Sequence, residues 1–174
     1  MPLIALTGGP GAGKTAVITE LRSRGYHCMA DSARAIIQER VSHGLEPRPP
    51  LREFAEQILS LDVRQYQRIA EAAGPVFFDR SVVDALSMIN GLGLLPAAEL
   101  QAWLASYPYF RTAFCFPPWE EIYRMDAERD HTFAHAVAVH RDLAAWYPSC
   151  GYDLVEVPRE TIQERCAFIL KRVG

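Results

Sequence analysis

The chain has 174 residues, of which 49% are hydrophobic and 22% are charged, and its formal net charge is −3. This length and composition are typical of a globular protein with a substantial core, and they predict one domain over residues 1–174. The mildly acidic charge gives no electrostatic reason to expect a nucleic-acid partner, and no apolar run approaches the length of a membrane span.

The four cysteines are widely spaced, and no two of them form a C-x-x-C pair. Small secreted proteins often contain many cysteines that pair in disulfide bonds. Isolated cysteines are typical of proteins in a reducing compartment. The cysteine pattern therefore predicts a cytoplasmic location.

Predicted strands and helices alternate along the chain, which indicates a parallel sheet with helices on both faces. In chain order the predicted elements are strand Leu3–Thr7, helix Thr15–Arg24, strand Tyr26–Ala30, helix Ser32–His43, helix Leu51–Ala73, strand Val76–Arg80, helices Val82–Ile89 and Ala97–Ser106, strand Thr112–Phe116, a short helix Trp119–Met125, helix Phe133–Trp146, strand Leu154–Val157 and helix Ile162–Arg172.

A glycine-rich loop joins the first strand to the first helix. It fits G-x-x-x-x-G-K-[ST], a pattern whose backbone N–H groups converge on phosphate oxygens at a helix N-terminus. In such a loop the lysine binds the β- and γ-phosphates, and the threonine hydroxyl ligates Mg²⁺. We expect a nucleoside triphosphate to contact Gly8, Gly9, Pro10, Gly11, Ala12, Gly13, Lys14, Thr15 and Ala16.

The alternative interpretation of this loop is a simple turn, but a turn needs neither the lysine nor the threonine. Only two of the 18 basic residues are lysines, Lys14 and Lys171. A lysine in the loop fits the need for a compact ammonium between phosphates, which a planar guanidinium does not replace well.

Asp31 and Arg34 follow the second predicted strand, at the carboxyl edge of the sheet where α/β proteins bind ligands. Asp31 is the best candidate to orient or deprotonate an acceptor hydroxyl, and Arg34 is a candidate contact of the acceptor. The alternative role for Asp31 is that of an N-cap for the helix that continues through Arg34.

Asp79 and Arg80 follow the third predicted strand, and Asp84 lies early in the next helix. Asp79 stands where a carboxylate commonly holds Mg²⁺ opposite the loop threonine Thr15, the alternatives being a helix cap or a surface carboxylate. Arg80 and Asp84 are candidates for binding the acceptor, with Arg80 also stabilising phosphate; the alternative is an ion pair between them. Water-activating ATPases often place Glu after such an Asp. Arginine cannot be a general base, so its presence favours a transferase over a hydrolase.

A polar segment at Asp126–His131 precedes the long helix that begins near Phe133. We expect a small lid at about 119–135 in which Arg124 and Arg129 stabilise charge on the transferred phosphoryl group and exclude water. The alternative is a charged surface turn.

Taken together, these motifs resemble those of P-loop kinases that act on nucleosides and nucleotides. The triplet Asp79-Arg80-Ser81 is similar to the Asp-Arg or Glu-Arg-Ser triplet of thymidylate and deoxynucleoside kinases. A family of small predicted ATPases resembles the chain more closely. Its members share G-G-P-G-x-G-K-T, an acidic residue before Ala-Arg (here Asp31 to Arg34), D-R-x-x-x-D-x-L (Asp79 to Leu86) and G-Y-x-L-V-x-V-P (Gly151 to Pro158).

The resemblance implies a three-layer α/β/α P-loop NTPase fold with a parallel five-stranded sheet, kinase-like strand order and a small lid. In the related kinases the loop after the last strand helps to hold the nucleotide base, which suggests Pro158 and Arg159 as base contacts. The prediction is a protein that binds ATP, or another NTP, with Mg²⁺ and transfers the γ-phosphoryl group to an unidentified small-molecule acceptor.

Two other functions stay open. A nucleotide-binding switch or sensor with slow ATP or GTP hydrolysis would use the same loop and a macromolecular partner. A motor ATPase is disfavoured by the short chain and by the missing Asp-Glu after the apolar strand. The sequence does not indicate an oligomeric state.

Overall fold

A computed structural model of the chain describes residues 1–69, 74–124 and 132–174. Its centre is a sheet of five parallel strands in the order β2-β3-β1-β4-β5. The strands are β1 (Leu3–Gly8), β2 (His27–Met29), β3 (Val76–Asp79), β4 (Thr112–Phe116) and β5 (Asp153–Glu156). The predicted parallel sheet with kinase-like strand order is therefore confirmed.

Helices cover both faces of this sheet. They are α1 (Lys14–Ser23), α2 (Ser32–Ser42), α3 (Leu51–Gln67), α4 (Val82–Gly91), α5 (Ala97–Ser106), α6 (Phe133–Ser149) and α7 (Ile162–Val173). In the described residues, no helix is both long and apolar enough to cross a membrane.

The core has two halves because successive strand residues point to opposite faces of the sheet. Ile4, Leu6 and Phe77 belong to a cluster with apolar side chains of α1 and α7. Ala5 and Phe78 belong to the other cluster, with side chains of α2, α3, α4 and α6. The chain thus has the predicted three-layer α/β/α fold. Its organisation as one domain stays a prediction.

Three predicted elements differ from the structure by three residues or more, and the other boundaries agree to within two residues. The helix predicted for Trp119–Met125 is a single 3₁₀ turn at Glu120–Ile122, and Met125 lies outside the described residues. The helix predicted for Leu51–Ala73 ends at Gln67.

The third error concerns α6, which was predicted to end at Trp146. It continues to Ser149 through Pro148. A proline in the last turn removes only one backbone hydrogen bond, and buried Tyr147 anchors that turn to the core.

Strand register places the functional ends of the strands side by side. Leu6 of β1 pairs with Asp79 of β3, so Asp79 lies beside the strand that leads into the glycine-rich loop. Met29 of β2 pairs with Phe78 of β3, which brings Asp31 close to Arg80. The sheet alone therefore gathers all three predicted carboxyl-edge clusters.

Candidate functional site

The glycine-rich loop is shaped by close backbone contacts that exclude side chains. Gly13 is the N-cap of α1 with a left-handed φ of 83°, and a Cβ there would lie 2.5 Å from Nη1 of Arg165. A Cβ on Gly9 would lie 2.5 Å from the carbonyl oxygen of Ala136 in α6. The backbone of Ala136 cannot yield to a Cβ on Gly9, and the left-handed φ of Gly13 disfavours any side chain, so both positions favour glycine.

Lys14 lies in the loop with its ammonium bound to the loop itself. Its Nζ donates hydrogen bonds to the carbonyl oxygens of Gly8 (3.0 Å) and Gly9 (2.9 Å), and the residue is only 6% exposed. Burial, together with the nearby Arg80 guanidinium, lowers the pKa of Lys14 to about 8, and the charge of Asp79 opposes this shift. The lysine is thus a desolvated cation beside the loop, as phosphate binding requires.

Asp79 at the end of β3 is a buried carboxylate that the described residues supply with no hydrogen bond. Burial raises its pKa, and the charge of Lys14 opposes that rise. A carboxylate left without a donor next to a phosphate loop suits a cation. Mg²⁺ in such sites takes one or two protein ligands and completes its shell with phosphate oxygens and water. The exposed Thr15 hydroxyl and Asp79 would hold it.

Within the described part of the chain, no group of three or more His, Cys, Asp or Glu side chains forms a metal site. The Mg²⁺ assignment to Thr15 and Asp79 stays a prediction.

Asp31 has the helix-capping role that was predicted as its alternative, and its role toward an acceptor hydroxyl stays a prediction. Its Oδ1 accepts hydrogen bonds from the backbone N–H groups of Ala33 (2.9 Å) and Arg34 (3.4 Å), so it caps α2. Its Oδ2 lies 3.5 Å from Nε of Arg80. One oxygen is therefore used by the fold, and the other faces the guanidinium at the edge of the sheet.

Arg80 has an unusual backbone conformation. Its φ of 72° makes it the one non-glycine residue with positive φ in the described ranges. Such a conformation is strained, and the hydrogen bond from its N–H to the carbonyl oxygen of Leu6 (2.9 Å) helps to hold it. The result is a side chain placed between Asp31 and Asp84, whose Oδ1 lies 3.7 Å from Nη1 of Arg80.

Asp84 was predicted to bind substrate, but its carboxylate accepts hydrogen bonds from other residues of the chain. Its Oδ2 accepts hydrogen bonds from the Tyr147 hydroxyl (2.6 Å) and from the backbone N–H and hydroxyl of Ser81 (3.0 Å each). The Thr7 hydroxyl donates to Oδ1. With a side chain only 6% exposed, Asp84 acts first as a hub that holds β1, α4 and α6 together. Direct contact with substrate stays a prediction.

The arginines predicted for the lid and for base binding either contact nearby backbone or lie outside the described residues. Nη1 of Arg124 donates to the carbonyl oxygens of Tyr123 (2.7 Å) and Glu121 (3.2 Å) in its own turn. Nε of Arg159 donates to the carbonyl oxygen of Pro118 (3.0 Å), which ties the loop after β5, with Pro158, to the loop after β4. Arg129 lies outside the described residues. The roles of these residues stay predictions.

A cavity of about 540 Å³ opens directly beside the glycine-rich loop. At one end it is lined by polar residues that the sequence predicted, namely Lys14, Asp31, Arg34, Asp79, Arg80 and Asp84. The rest of its wall is mainly apolar and comes from α2, α3, α4 and α6, with Ile37, Phe54, Ile58, Met88 and Leu143. This volume and this mixture of walls are typical of small-molecule sites.

Asp62 lines the same cavity and was missed by the sequence analysis. It is 4% exposed, the Ser32 hydroxyl donates to its Oδ1, and its Oδ2 has no partner among the described residues. A detectable signal existed. Phe54 and Ile58 have the spacing of one helix face in the sequence, and Asp62 continues that face at i+4 from Ile58.

The burial of Asp62 leads to a test of stability. Burial raises the pKa of Asp62 from the ordinary 3.8 to about 7, although the Ser32 hydroxyl lowers it in part. The folded protein therefore holds this proton more tightly than the unfolded chain, and stability falls as the pH rises from about 4 to about 7. Because asparagine cannot ionise, we expect Asp62→Asn to lack this fall and to exceed the wild type at pH 8 by up to about 4 kcal/mol.

Urea unfolding between pH 4 and pH 8 measures this difference. Glu56→Gln is the matched control, since Glu56 is an exposed acid on the same helix that pairs with Arg52. Parallel pH profiles for Asp62→Asn and the wild type would contradict a buried, titrating Asp62.

Arg165 of α7 is a second residue that the sequence analysis missed. It is 4% exposed, its guanidinium carbon lies 5.5 Å from the centre of the Trp119 ring, and its Nε has no hydrogen-bond partner among the described residues. Burial lowers its pKa. No sequence signal distinguished it, because an arginine in a terminal amphipathic helix is typical of an exposed surface. The fold thus places a second buried cation against Gly13 of the loop.

Comparison with known proteins identifies the family of the chain. A family model described as "AAA domain" matches residues 3–165. No curated protein sequence matches the chain.

Solved structures show the same fold at low sequence identity. Thymidylate kinase from Candida albicans has a TM-score of 0.69 at 13% identity, over 99% of this chain and 90% of that one. Deoxyadenosine kinase from M. mycoides with bound dATP has a TM-score of 0.64 at 12% identity, over 99% and 98% of the two chains. YorR protein from Bacillus subtilis, in complex with phosphorylated GDP, has a TM-score of 0.58 at 14% identity, over 98% and 95%.

These identities are low enough that the similarity establishes the fold and not the reaction. The family match covers most of the chain, and the glycine-rich loop, the strand order and the kinase-like neighbours agree with it. The chain belongs to the AAA-domain family, and its fold is similar to that of nucleoside and nucleotide kinases.

Proposed function

We propose that the protein is a phosphotransferase that moves the γ-phosphoryl group of ATP to a hydroxyl group of a small-molecule acceptor. The main support for this proposal is the cavity. It extends from the glycine-rich loop, past Asp31 and Arg80, to a largely apolar part. A protein that only hydrolyses its nucleotide needs room for water, whereas this pocket has room for a second substrate.

The reaction follows from the placement of charges. Lys14 and the loop N–H groups bind the β- and γ-phosphates, and Arg80 stabilises charge that develops on the transferred group. Thr15 and Asp79 would hold Mg²⁺, which would neutralise further phosphate charge. Asp31 uses the oxygen that does not cap α2 to accept the proton of the acceptor hydroxyl. The hydroxyl oxygen bonds to the γ-phosphorus while the bond to the bridging oxygen of ADP breaks.

An acceptor screen tests this function. Release of ADP is measured with ATP and Mg²⁺ in the presence of nucleosides, nucleoside monophosphates, sugars and aminoglycosides. Strong stimulation by one class, with formation of its phosphorylated product, supports the phosphotransferase. Slow release that no class stimulates supports the switch or sensor instead, with a macromolecular partner.

Asp31→Asn gives the sharpest variant for this reaction. Asparagine keeps an oxygen that can accept the capping hydrogen bonds from Ala33 and Arg34, but it cannot accept a proton. We expect kcat to fall by about 10²- to 10⁴-fold while the affinity for ATP changes little. Steady-state rates and calorimetric ATP binding measure the two quantities.

The control for that variant is Asp153→Asn, which removes an exposed carboxylate paired with Arg111. Asp153 is the first residue of β5 and so lies at the edge of the sheet away from the site. An unchanged kcat in Asp31→Asn would exclude Asp31 as the base.

The other elements of this proposal rest on the sequence. They are the preference for ATP over other triphosphates, the base contacts at Pro158 and Arg159, the lid arginines Arg124 and Arg129, the acceptor contact at Arg34, the absence of a nucleic-acid partner and the cytoplasmic location.

A further inference from the structure

One face of α3 forms a wall of the cavity. Leu51, Phe54, Ile58 and Asp62 all line it, and their spacing of three and four residues places them on one side of the helix. With a rise of 1.5 Å per residue, this face is about 16 Å long. It is apolar along most of its length and ends in a single carboxyl group.

That carboxyl group is fixed next to the reacting end of the site. The side-chain amide of Gln65 donates to Oγ of Ser32 (2.7 Å) and to the carbonyl oxygen of Ala30 (3.1 Å), and the Ser32 hydroxyl in turn donates to Oδ1 of Asp62. Ser32 directly follows Asp31 in the chain. Asp62 is therefore held beside the residue that faces the acceptor hydroxyl.

The other carboxylates at this end of the cavity have functions within the site or the fold. Asp31 caps α2 and faces Arg80, Asp79 faces Lys14, and Asp84 accepts hydrogen bonds from three residues. Asp62 retains an oxygen, Oδ2, that the described residues leave without a partner. A buried polar atom of this kind destabilises the fold unless a ligand supplies the missing hydrogen bond.

We propose that Asp62 determines acceptor specificity by accepting a hydrogen bond from a second hydroxyl group of the acceptor, next to the hydroxyl that is phosphorylated. This inference rests on the proposed function. It names the acceptor class as a polyhydroxylated molecule with a flat or apolar body, as in a ribonucleoside. The body packs against Leu51, Phe54 and Ile58, and the hydroxyl groups lie between Asp62 and Asp31.

Binding to matched ligand pairs tests the proposal without turnover. Calorimetry is done with a non-hydrolysable ATP analogue bound and with adenosine, 2′-deoxyadenosine and 3′-deoxyadenosine as probes, and likewise with the three cytidine compounds. We expect the wild type to bind one ribonucleoside about ten- to a hundredfold more tightly than the analogue that lacks one hydroxyl.

The informative variant is Asp62→Asn. Its amide oxygen can still accept from Ser32, but an N–H donor then takes the place of Oδ2 and cannot accept from the ligand. We expect this variant to bind both members of the pair with equal, weak affinity and to keep full affinity for the ATP analogue. Glu56→Gln on the same helix serves as the control, and the unfolding profile of each variant shows that it is folded.

Each outcome either supports or overturns the specificity site. The proposal is overturned if Asp62→Asn keeps the wild-type discrimination, or if no ribonucleoside of the panel binds the wild type. Discrimination that depends on Asp62, without any acceptor-stimulated release of ADP, would leave the specificity site standing and refute the phosphotransferase. Release of ADP that another acceptor class stimulates equally in the wild type and in Asp62→Asn would support the phosphotransferase and refute the specificity site.

Discussion

Lys14→Met is expected to lower phosphoryl transfer by about 10²- to 10³-fold and to weaken ATP binding. The ammonium it removes is positioned by the carbonyl oxygens of Gly8 and Gly9 and is the one lysine charge in the phosphate loop. Methionine has a similar length and apolar stem, so the loss is one of charge more than of packing. Rates of ADP release and calorimetric ATP binding measure both effects.

The stability of this variant separates lost function from unfolding. The pKa of Lys14 in the folded protein, about 8, lies below its ordinary value of 10.5. The fold therefore disfavours the charged form, a cost that is complete below pH 8 and disappears as the pH rises toward 10.5. At neutral pH we expect Lys14→Met to be at least as stable as the wild type.

The chain offers a natural control in Lys171, its other lysine, which is exposed in the last turn of α7. Lys171→Met should leave both measurements unchanged. Full ATP affinity and turnover in Lys14→Met would mean that the loop does not bind phosphate.

The second large effect is expected for stability, in Asp84→Ala. This change leaves the hydroxyls of Thr7, Ser81 and Tyr147 and the N–H of Ser81 without their acceptor inside the core. It also removes the carboxylate that faces Arg80. Because breaking a buried charged network is far more costly than breaking an exposed one, we expect a loss of about 3–5 kcal/mol in unfolding free energy.

Glu164→Ala is the matched comparison for urea unfolding. Glu164 completes the same capping-box motif with Thr161 at the start of α7, but on the exposed surface. We expect a much smaller loss there. Equal losses in the two variants would show that Asp84 contributes only a helix cap.

The sequence was most informative where local rules and tertiary structure agree. Thr112–Phe116 and Ala97–Ser106 have the boundaries that were predicted, because Pro117 ends the strand and Pro96 and Pro108 lie on the two sides of the helix. The carboxyl-edge rule also brought Asp31, Asp79 and the loop together correctly, since it needs only the order of strands and helices.

Contacts between distant parts of the chain explain what could not be predicted. The extension of α6 through Pro148 depends on Tyr147 reaching Asp84, 63 residues away in the chain. The burial of Arg165 depends on its position against Trp119 and Gly13, which no local pattern encodes. Asp62 lies between these cases, because its place on an apolar helix face was visible but its unpartnered oxygen was not.

The close approach of Gly9 to Ala136 has a consequence for how substitutions combine. Any side chain at position 9 must push the start of α6 away from the loop, and α6 is a continuous helix about 25 Å long. Near its other end, Tyr147 of the same helix donates a hydrogen bond to Asp84. Positions 9 and 147 thus act on the same helix without touching, and we expect the energetic effects of changing both to depart from the sum of the separate effects in a double-mutant cycle.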